Sequence, residues 1–191
     1  MKTFPVFSLN KDFIEVSFGD VPIWNGVQKK PGVKKCFPLK LSTHSGPIVK
    51  LQQPQATASV INAYGTSDYM FITPPAGTNK WANSRGEALL KIAENLIDDS
   101  ASPKSILEIG AWTTWIANKL QEKYNSDPYV IIDPAITESS QNIEIIKDYF
   151  PSPKIACRRF DLILGFNLLE HVTDPVLFLS NIAKHLIENG I

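Results

Sequence analysis

Cysteine is almost absent: Cys36 and Cys157 are the only two in 191 residues, and they lie far apart. The cysteines alone therefore cannot build a disulfide framework or a closed, cysteine-rich zinc site. A catalytic thiol needs a base and an electropositive setting, and neither is visible around Cys36 or Cys157, so both are expected to be buried structural thiols. Net charge is absent as well, with 19 basic against 19 acidic residues and a pI near 6.8. No global field then favours nucleic acid or an anionic membrane surface. Lys29, Lys30, Lys34 and Lys35 flank Pro31-Gly32 without interleaved aromatics and read as a solvated loop. No apolar run approaches the ~20 residues of a membrane span, and Met1-Lys2-Thr3-Phe4-Pro5 lacks the apolar core of a secretion signal. What remains is the expectation of a cytoplasmic globular chain of one large domain, or one large and one small, with neither nucleic acid nor membrane as a partner.

Prolines are unevenly spread, more than half of the fourteen preceding residue 83. With short apolar runs such as Phe13-Ile14-Glu15-Val16 and Ile48-Val49-Lys50-Leu51, residues 1–82 predict a small module of short strands and turns. Residues 83–191 instead alternate helix and strand patterns. Asn83 or Ser84 is placed to cap a helix whose Leu89, Leu90, Ile92, Ala93, Leu96 and Ile97 form one apolar face. Ser105–Ile109 is short, apolar on both faces and ends in Gly110, as a parallel strand covered by helices must be. Tyr129–Ile132, Ile143–Ile146 and the stretch from Phe160 are further strand candidates. Trp115, Ile116, Ala117, Leu120 and Tyr124 have helical spacing, and Asp174-Pro175 opens a last helix as N-cap and N1, running through Leu177, Phe178, Ile182 and Leu186 to Gly190. The predicted fold is α/β with a doubly wound, Rossmann-like sheet.

From Ile106 to Ala117 the sequence reads strand, glycine turn, helix, and Asp133 follows 23 residues after Gly110 at the end of Tyr129-Val130-Ile131-Ile132. A doubly wound fold places a carboxylate there, able to accept hydrogen bonds from two ribose hydroxyls. The stretch Glu108-Ile109-Gly110-Ala111-Trp112-Thr113-Thr114 with Asp133 resembles motif I and the following acidic position of the class I S-adenosylmethionine-dependent methyltransferases. Phe160-Asp161-Leu162-Ile163-Leu164 and Leu169-Glu170-His171-Val172-Thr173-Asp174-Pro175 resemble that family's fourth strand and its continuation, so the likeness covers about residues 86–191. Trp112 and Thr114 depart from the pattern, standing where the family has its second and third glycines. The indole of Trp112 either points away from the pocket or fills it.

A second likeness lies in the N-terminal third. Phe18-Gly19-Asp20-Val21-Pro22-Ile23-Trp24-Asn25, Phe37-Pro38-Leu39-Lys40-Leu41 and Tyr69-Met70-Phe71 resemble segments of the N-terminal module of sugar C-methyltransferases. That module's paired cysteines are missing; Ser42, His44 and Ser45 occupy the stretch of one pair and cannot hold a structural zinc, which needs about four N or S ligands.

The resemblance implies S-adenosylmethionine as cofactor and a small-molecule acceptor, with a nucleotide-linked sugar as the narrower candidate. It assigns Glu108 to the donor's amino group, Gly110 and Ala111 to close backbone at its methionyl part, Asp133 to its ribose, Asp148 to the adenine side and Asn167 to the floor. For Asp148 a local capping role stands equally open. His171 is a candidate base for the acceptor, or a loop histidine ordering its own corner with Glu170 as partner. Tyr69 is a candidate substrate contact, while His44 and His185 read as ordinary solvated or helix-face residues. The family would continue past Gly190-Ile191 into a fifth strand and a hairpin; four strands leave an open sheet edge, which implies self-association or a partner chain covering it. A non-catalytic binding module on the same fold is the alternative function. A nicotinamide enzyme ranks third, because Gly-x-Gly-x-x-Gly is absent.

Overall fold

The structure, a computed structural model, describes residues 14–22, 36–43, 76–97, 102–172 and 174–191. The chain divides into two compact units, Met1–Phe71 and Ile72–Ile191. In the first, β1 (Ile14–Pro22) pairs antiparallel with β2 (Cys36–Thr43), and the register slips between Ser17 and Asp20. Three steps along β1 there match two along β2, so Phe18 and Gly19 stand against Leu39 alone, which is a β-bulge. The expected strand at Ile48–Leu51 and the residues Tyr69, His44 and Ser45 lie outside the described residues.

The second unit begins its regular structure with α1 (Lys80–Leu96). The boundary expected at 82/83 would cut this helix, and the division falls at 71/72 instead. The cap is Asn79, whose side chain accepts a hydrogen bond from the Ala82 N–H at 2.9 Å; Asn83, expected at that post, accepts one from the Gly77 N–H and ties down the preceding turn. The buried stripe is narrower than the expected face and begins earlier. Ala82, Gly86, Ala93 and Ile97 line it, while Ile92 and Leu96, expected inside, are each 52% exposed. Small residues suit this face because Trp115 packs on it: a Cβ added to Gly86 would sit 2.9 Å from the indole's Cζ3.

β3 (Ile106–Ile109), α2 (Trp115–Tyr124), β4 (Tyr129–Ile132), β5 (Glu144–Ile146), β6 (Leu162–Leu164) and α3 (Pro175–Lys184) complete the unit. All four strands run parallel in the order β5-β4-β3-β6. Every residue of β3 and β4 is buried, as strands sandwiched between two helical layers must be. Ile106, Tyr129, Ile131, Leu162 and Leu164 face Ala93, Ala117 and Leu120 of α1 and α2. Leu107, Ile109, Val130, Ile132 and Phe160 pack with Phe178 and Ile182 of α3 on the other side.

At the N-terminal ends of β3 and β6 the two strands are clasped. Asp161 Oδ2 accepts the Ser105 N–H at 2.9 Å and also the Ser105 hydroxyl, and the Ser105 carbonyl accepts the Asp161 and Leu162 N–H groups.

The last helix starts at Asp174, whose Oδ1 accepts the Leu177 N–H at 2.9 Å. It ends at Lys184 rather than near Gly190, because the following chain turns to pair with the sheet. Phe160 N–H donates to the His185 carbonyl, Ile187 N–H to the Phe160 carbonyl, and Ile191 bridges Asp161 and Ile163 alongside β6. Leu177, expected on the buried face, is exposed. His185, expected in solvent or on a helix face, is buried just past the end of α3: its Nδ1 lies 2.9 Å from the Arg158 carbonyl and its ring meets Phe150 edge-on. Cys36 and Cys157, expected inside, are both exposed. No helix among the described residues is long and apolar enough to cross a membrane.

Candidate functional site at the sheet's switch point

From β3 the chain steps outward through β4 to β5, then crosses back to β6 on β3's other side. Strand order thus reverses beside β3, and ligands of open parallel sheets bind in the crevice at the C-terminal ends of such strands. The structure brings the ends of all four strands to this rim: Gly110 after β3, Asp133 after β4, Asp148 beyond β5, and Asn167 with His171 beyond β6.

Gly110 takes φ 72° and donates its N–H to the Ile132 carbonyl at 2.8 Å. A Cβ there would meet Leu168 Cδ1 at 2.9 Å, so the loop after β6 closes directly over the glycine backbone. The next turn is left-handed at a residue other than glycine. Trp112 adopts φ 55°, a conformation natural to glycine, and its N–H reaches Asp133 Oδ2 at 3.1 Å. Asp133 is buried, and its other oxygen accepts the Ala135 N–H at 2.7 Å. Burial raises its pKa, opposed by hydrogen bonds from the backbone of Ala135, Trp112 and Ile136.

Glu108 is 3% exposed in the middle of the apolar sheet. Burial pushes its carboxyl up to about 7; the Tyr129 hydroxyl, 2.9 Å from Oε2, works against that shift, and the charge of Asp133 adds to it.

Asp148 turns to its own chain, accepting the Ser152 hydroxyl and the Tyr149 N–H at 2.8 Å each, contacts that hold its carboxyl below the usual range. Of its two open roles, these contacts supply the local cap. Asn167 sits at φ 49° in the exposed loop after β6. His171 ends a short 3-10 turn, Leu169–His171, and is exposed. Ala111 is half-buried beside Gly110.

Two participants were not picked out from the sequence, Tyr129 and Glu138. Glu138 Oε2 accepts the Thr114 N–H at 2.6 Å and the Thr114 hydroxyl at 2.7 Å, covering the N-terminus of α2 with a carboxylate. Asn118 extends this network to Thr114 and Ser140. A groove of about 560 Å³ opens beside β5, lined among others by Glu138, Ser140, Lys147 and Lys154, on the flank away from His171.

A methyltransferase domain pattern matches residues 81–191. The chain belongs to the methyltransferase domain family. Among solved structures, this methyltransferase domain is similar to the N-methyltransferase NodS from Bradyrhizobium japonicum WM9, crystallised with S-adenosyl-L-homocysteine, at 20% identity and a TM-score of 0.46, covering 69% of this chain and 67% of that one. It is also similar to the plantazolicin methyltransferase BpumL in complex with SAH, at 14% identity and a TM-score of 0.46, covering 55% and 43%. Coclaurine N-methyltransferase bound to N-methylheliamine and SAH gives 18% identity and a TM-score of 0.48, covering 62% and 37%. The chain thus spans less than half the length of the last two. No curated protein matches it.

Trp112→Gly tests how this methyltransferase domain tolerates its altered turn. The left-handed backbone favours glycine, and the indole is only half-buried, so the expected loss is well under the ~3–5 kcal/mol of a fully buried tryptophan. Denaturant unfolding measures it, and a loss of that full size would place the ring in the core.

Proposed function

We propose that the chain binds S-adenosylmethionine at the switch point and transfers its methyl group to a small molecule. The observation that carries this reading is the joining of the glycine turn to the strand-end acid by the hydrogen bond from the Trp112 N–H to Asp133. The donor set fits such a cofactor: two buried carboxyls, Glu108 and Asp133, suit a ligand bearing a cation and hydroxyls. They suit a pyrophosphate poorly, because Glu138 already sets a negative charge on the helix N-terminus that a dinucleotide would need. That argues against the nicotinamide alternative.

When bound, the cofactor supplies an electrophilic methyl on a sulfonium. Asp133 would hold the ribose, Glu108 the amino end, and Gly110 with Ala111 the close backbone. Asn167 would form the floor beside β6. In this reading Asp148, engaged with Ser152, orders the loop on the adenine side. His171, exposed beyond β6, would take a proton from a hydroxyl or carbon acid of the acceptor. A role for Tyr69 on the acceptor, and a nucleotide-linked sugar as that acceptor, rest on the likeness of the N-terminal segments to the sugar enzymes.

A non-catalytic binding module is favoured by one feature, the Glu138 carboxylate at Thr114, which competes with any anionic end of a ligand for the same N–H. Calorimetry with S-adenosylmethionine, S-adenosylhomocysteine and NAD separates the readings. Binding of the first two and not the third is expected. NAD binding alone would overturn the proposal, as would no binding of any of them at millimolar ligand.

A further inference from the structure

Glu108 and Tyr129 stand on adjacent parallel strands in a register that pairs Ile106 with Tyr129 and Glu108 with Ile131. The tyrosine is therefore one pleat behind the acid on the same face of the sheet, reaching forward to it. Its ring is 1% exposed and its hydroxyl lies 2.9 Å from Glu108 Oε2. Most strand residues on this face are aliphatic, so a tyrosine hydroxyl here needs a partner, and so does a carboxyl buried beside it. Each supplies the other's need, from the side of the core and away from the rim where a ligand enters.

We propose that Tyr129 is a positioning residue for Glu108: its hydroxyl holds one carboxylate oxygen from within the core and stabilises the ionised form that receives the cationic end of the ligand. This rests on the proposed cofactor reading for its ligand but not for its pair.

Every element around the acid bears on its charge. From β4 come Tyr129 and, at the strand's end, Asp133, whose like charge opposes ionisation. α1, α2 and β6 present Ala93, Ala117, Leu120, Leu162 and Leu164 to this face, with Ile97 just after α1, all apolar, and α2 adds the phenol of Tyr124 at its C-terminal end. Burial thus keeps the carboxyl largely protonated below about pH 7. Tyr129 itself is held protonated far above neutrality, chiefly by burial, so it serves as a donor throughout. Ionisation of Glu108 then costs less with the hydroxyl than without it. A cationic ligand arriving below pH 7 draws the carboxyl into its charged form, and one proton leaves to solvent for each ligand bound.

The test has two arms on the full chain, each with Tyr129→Phe, which keeps the ring, and with Glu108→Gln. In the ligand-free arm, carboxyl-carbon NMR follows the Glu108 titration. A midpoint near 7 in the wild type and a higher one in Tyr129→Phe are expected; equal midpoints would overturn the proposal. In the second arm, calorimetry with S-adenosylhomocysteine across pH 5.5–8.5, in buffers of differing ionisation enthalpy, counts protons released. Affinity should rise about tenfold per pH unit below the midpoint and then level, with the midpoint moved upward in Tyr129→Phe and the pH dependence lost in Glu108→Gln. A purely structural tyrosine would lower the melting temperature without moving either midpoint. Wild-type protein that shows the NMR shift but binds no S-adenosylhomocysteine would overturn the cofactor reading and the ligand half of this inference, while leaving the acid pair in place.

Discussion

Asp133→Ala is expected to weaken S-adenosylhomocysteine binding by roughly 1–3 kcal/mol, about 5- to 150-fold, and to destabilise the fold at the same time. The binding loss follows from the charge-assisted hydrogen bonds that a strand-end carboxylate offers to ribose hydroxyls. The stability loss has a separate cause in the ligand-free protein. Asp133 accepts the N–H groups of Trp112 and Ala135, and its own backbone N–H continues the sheet to Ile146. Truncating the side chain removes the acceptor of these N–H groups at a largely buried site, at about 1–3 kcal/mol for each bond lost before relief of the buried charge is subtracted. Asp133→Asn separates the two effects. It fills the same space and keeps one carbonyl oxygen, but turns an amino group toward an N–H, so it should lose affinity while unfolding later than Asp133→Ala. Calorimetry and denaturant melts report both quantities, and unchanged affinity in Asp133→Ala would remove this residue from the site.

Stability should also fall as pH rises from about 4.5 to above 7, by on the order of 3 kcal/mol from Glu108 alone. In the unfolded chain this carboxyl ionises near 4.5, whereas in the folded protein it keeps its proton until about 7. Between those values the unfolded state binds fewer protons, so raising pH favours unfolding; above about 7 both states are ionised and the loss is complete. Glu108→Gln retains an acceptor for the Tyr129 hydroxyl and cannot ionise. Its denaturant midpoint should therefore exceed that of the wild type at pH 8 and approach it at pH 4.5. A variant no more stable at pH 8 would mean that water or a rearrangement solvates the carboxylate.

Much of the second unit was legible because its strands are apolar on both faces, and β3, β4 and β6 appear near the expected residues. Asp133 was legible for a related reason, since one carboxylate closing an apolar run has few other positions to occupy. What escaped depended on contacts distant in sequence. The Tyr129 side chain meets Glu108 only through a cross-strand register that neither segment encodes by itself. Glu138 reaches Thr114 across 24 residues of chain, from a loop with no periodicity to read. The last helix stops at Lys184 although its apolar pattern continues, because the backbone of residues 185–191 finds partners along the sheet edge. At α1 the expected face was too wide and began too late: its Ala93 and Ile97 are buried, its Ile92 and Leu96 are exposed, and a cap at Asn83 or Ser84 left out Ala82.

The clasp between Ser105 and Asp161 sits at the far end of β3 and β6 from Gly110 and Leu168. Between these ends the two strands are paired along the whole of β6, from Ile106 with Leu162 to Glu108 with Leu164. Their separation is fixed along that pairing, so the backbone that departs from regular sheet geometry lies beyond the strand ends. There the backbone of Gly110, Trp112 and Asn167 already occupies left-handed conformations at φ 72°, 55° and 49°. In the proposed site the surface a ligand meets is thus shaped by these left-handed turns, while the strands behind them are joined by regular parallel pairing.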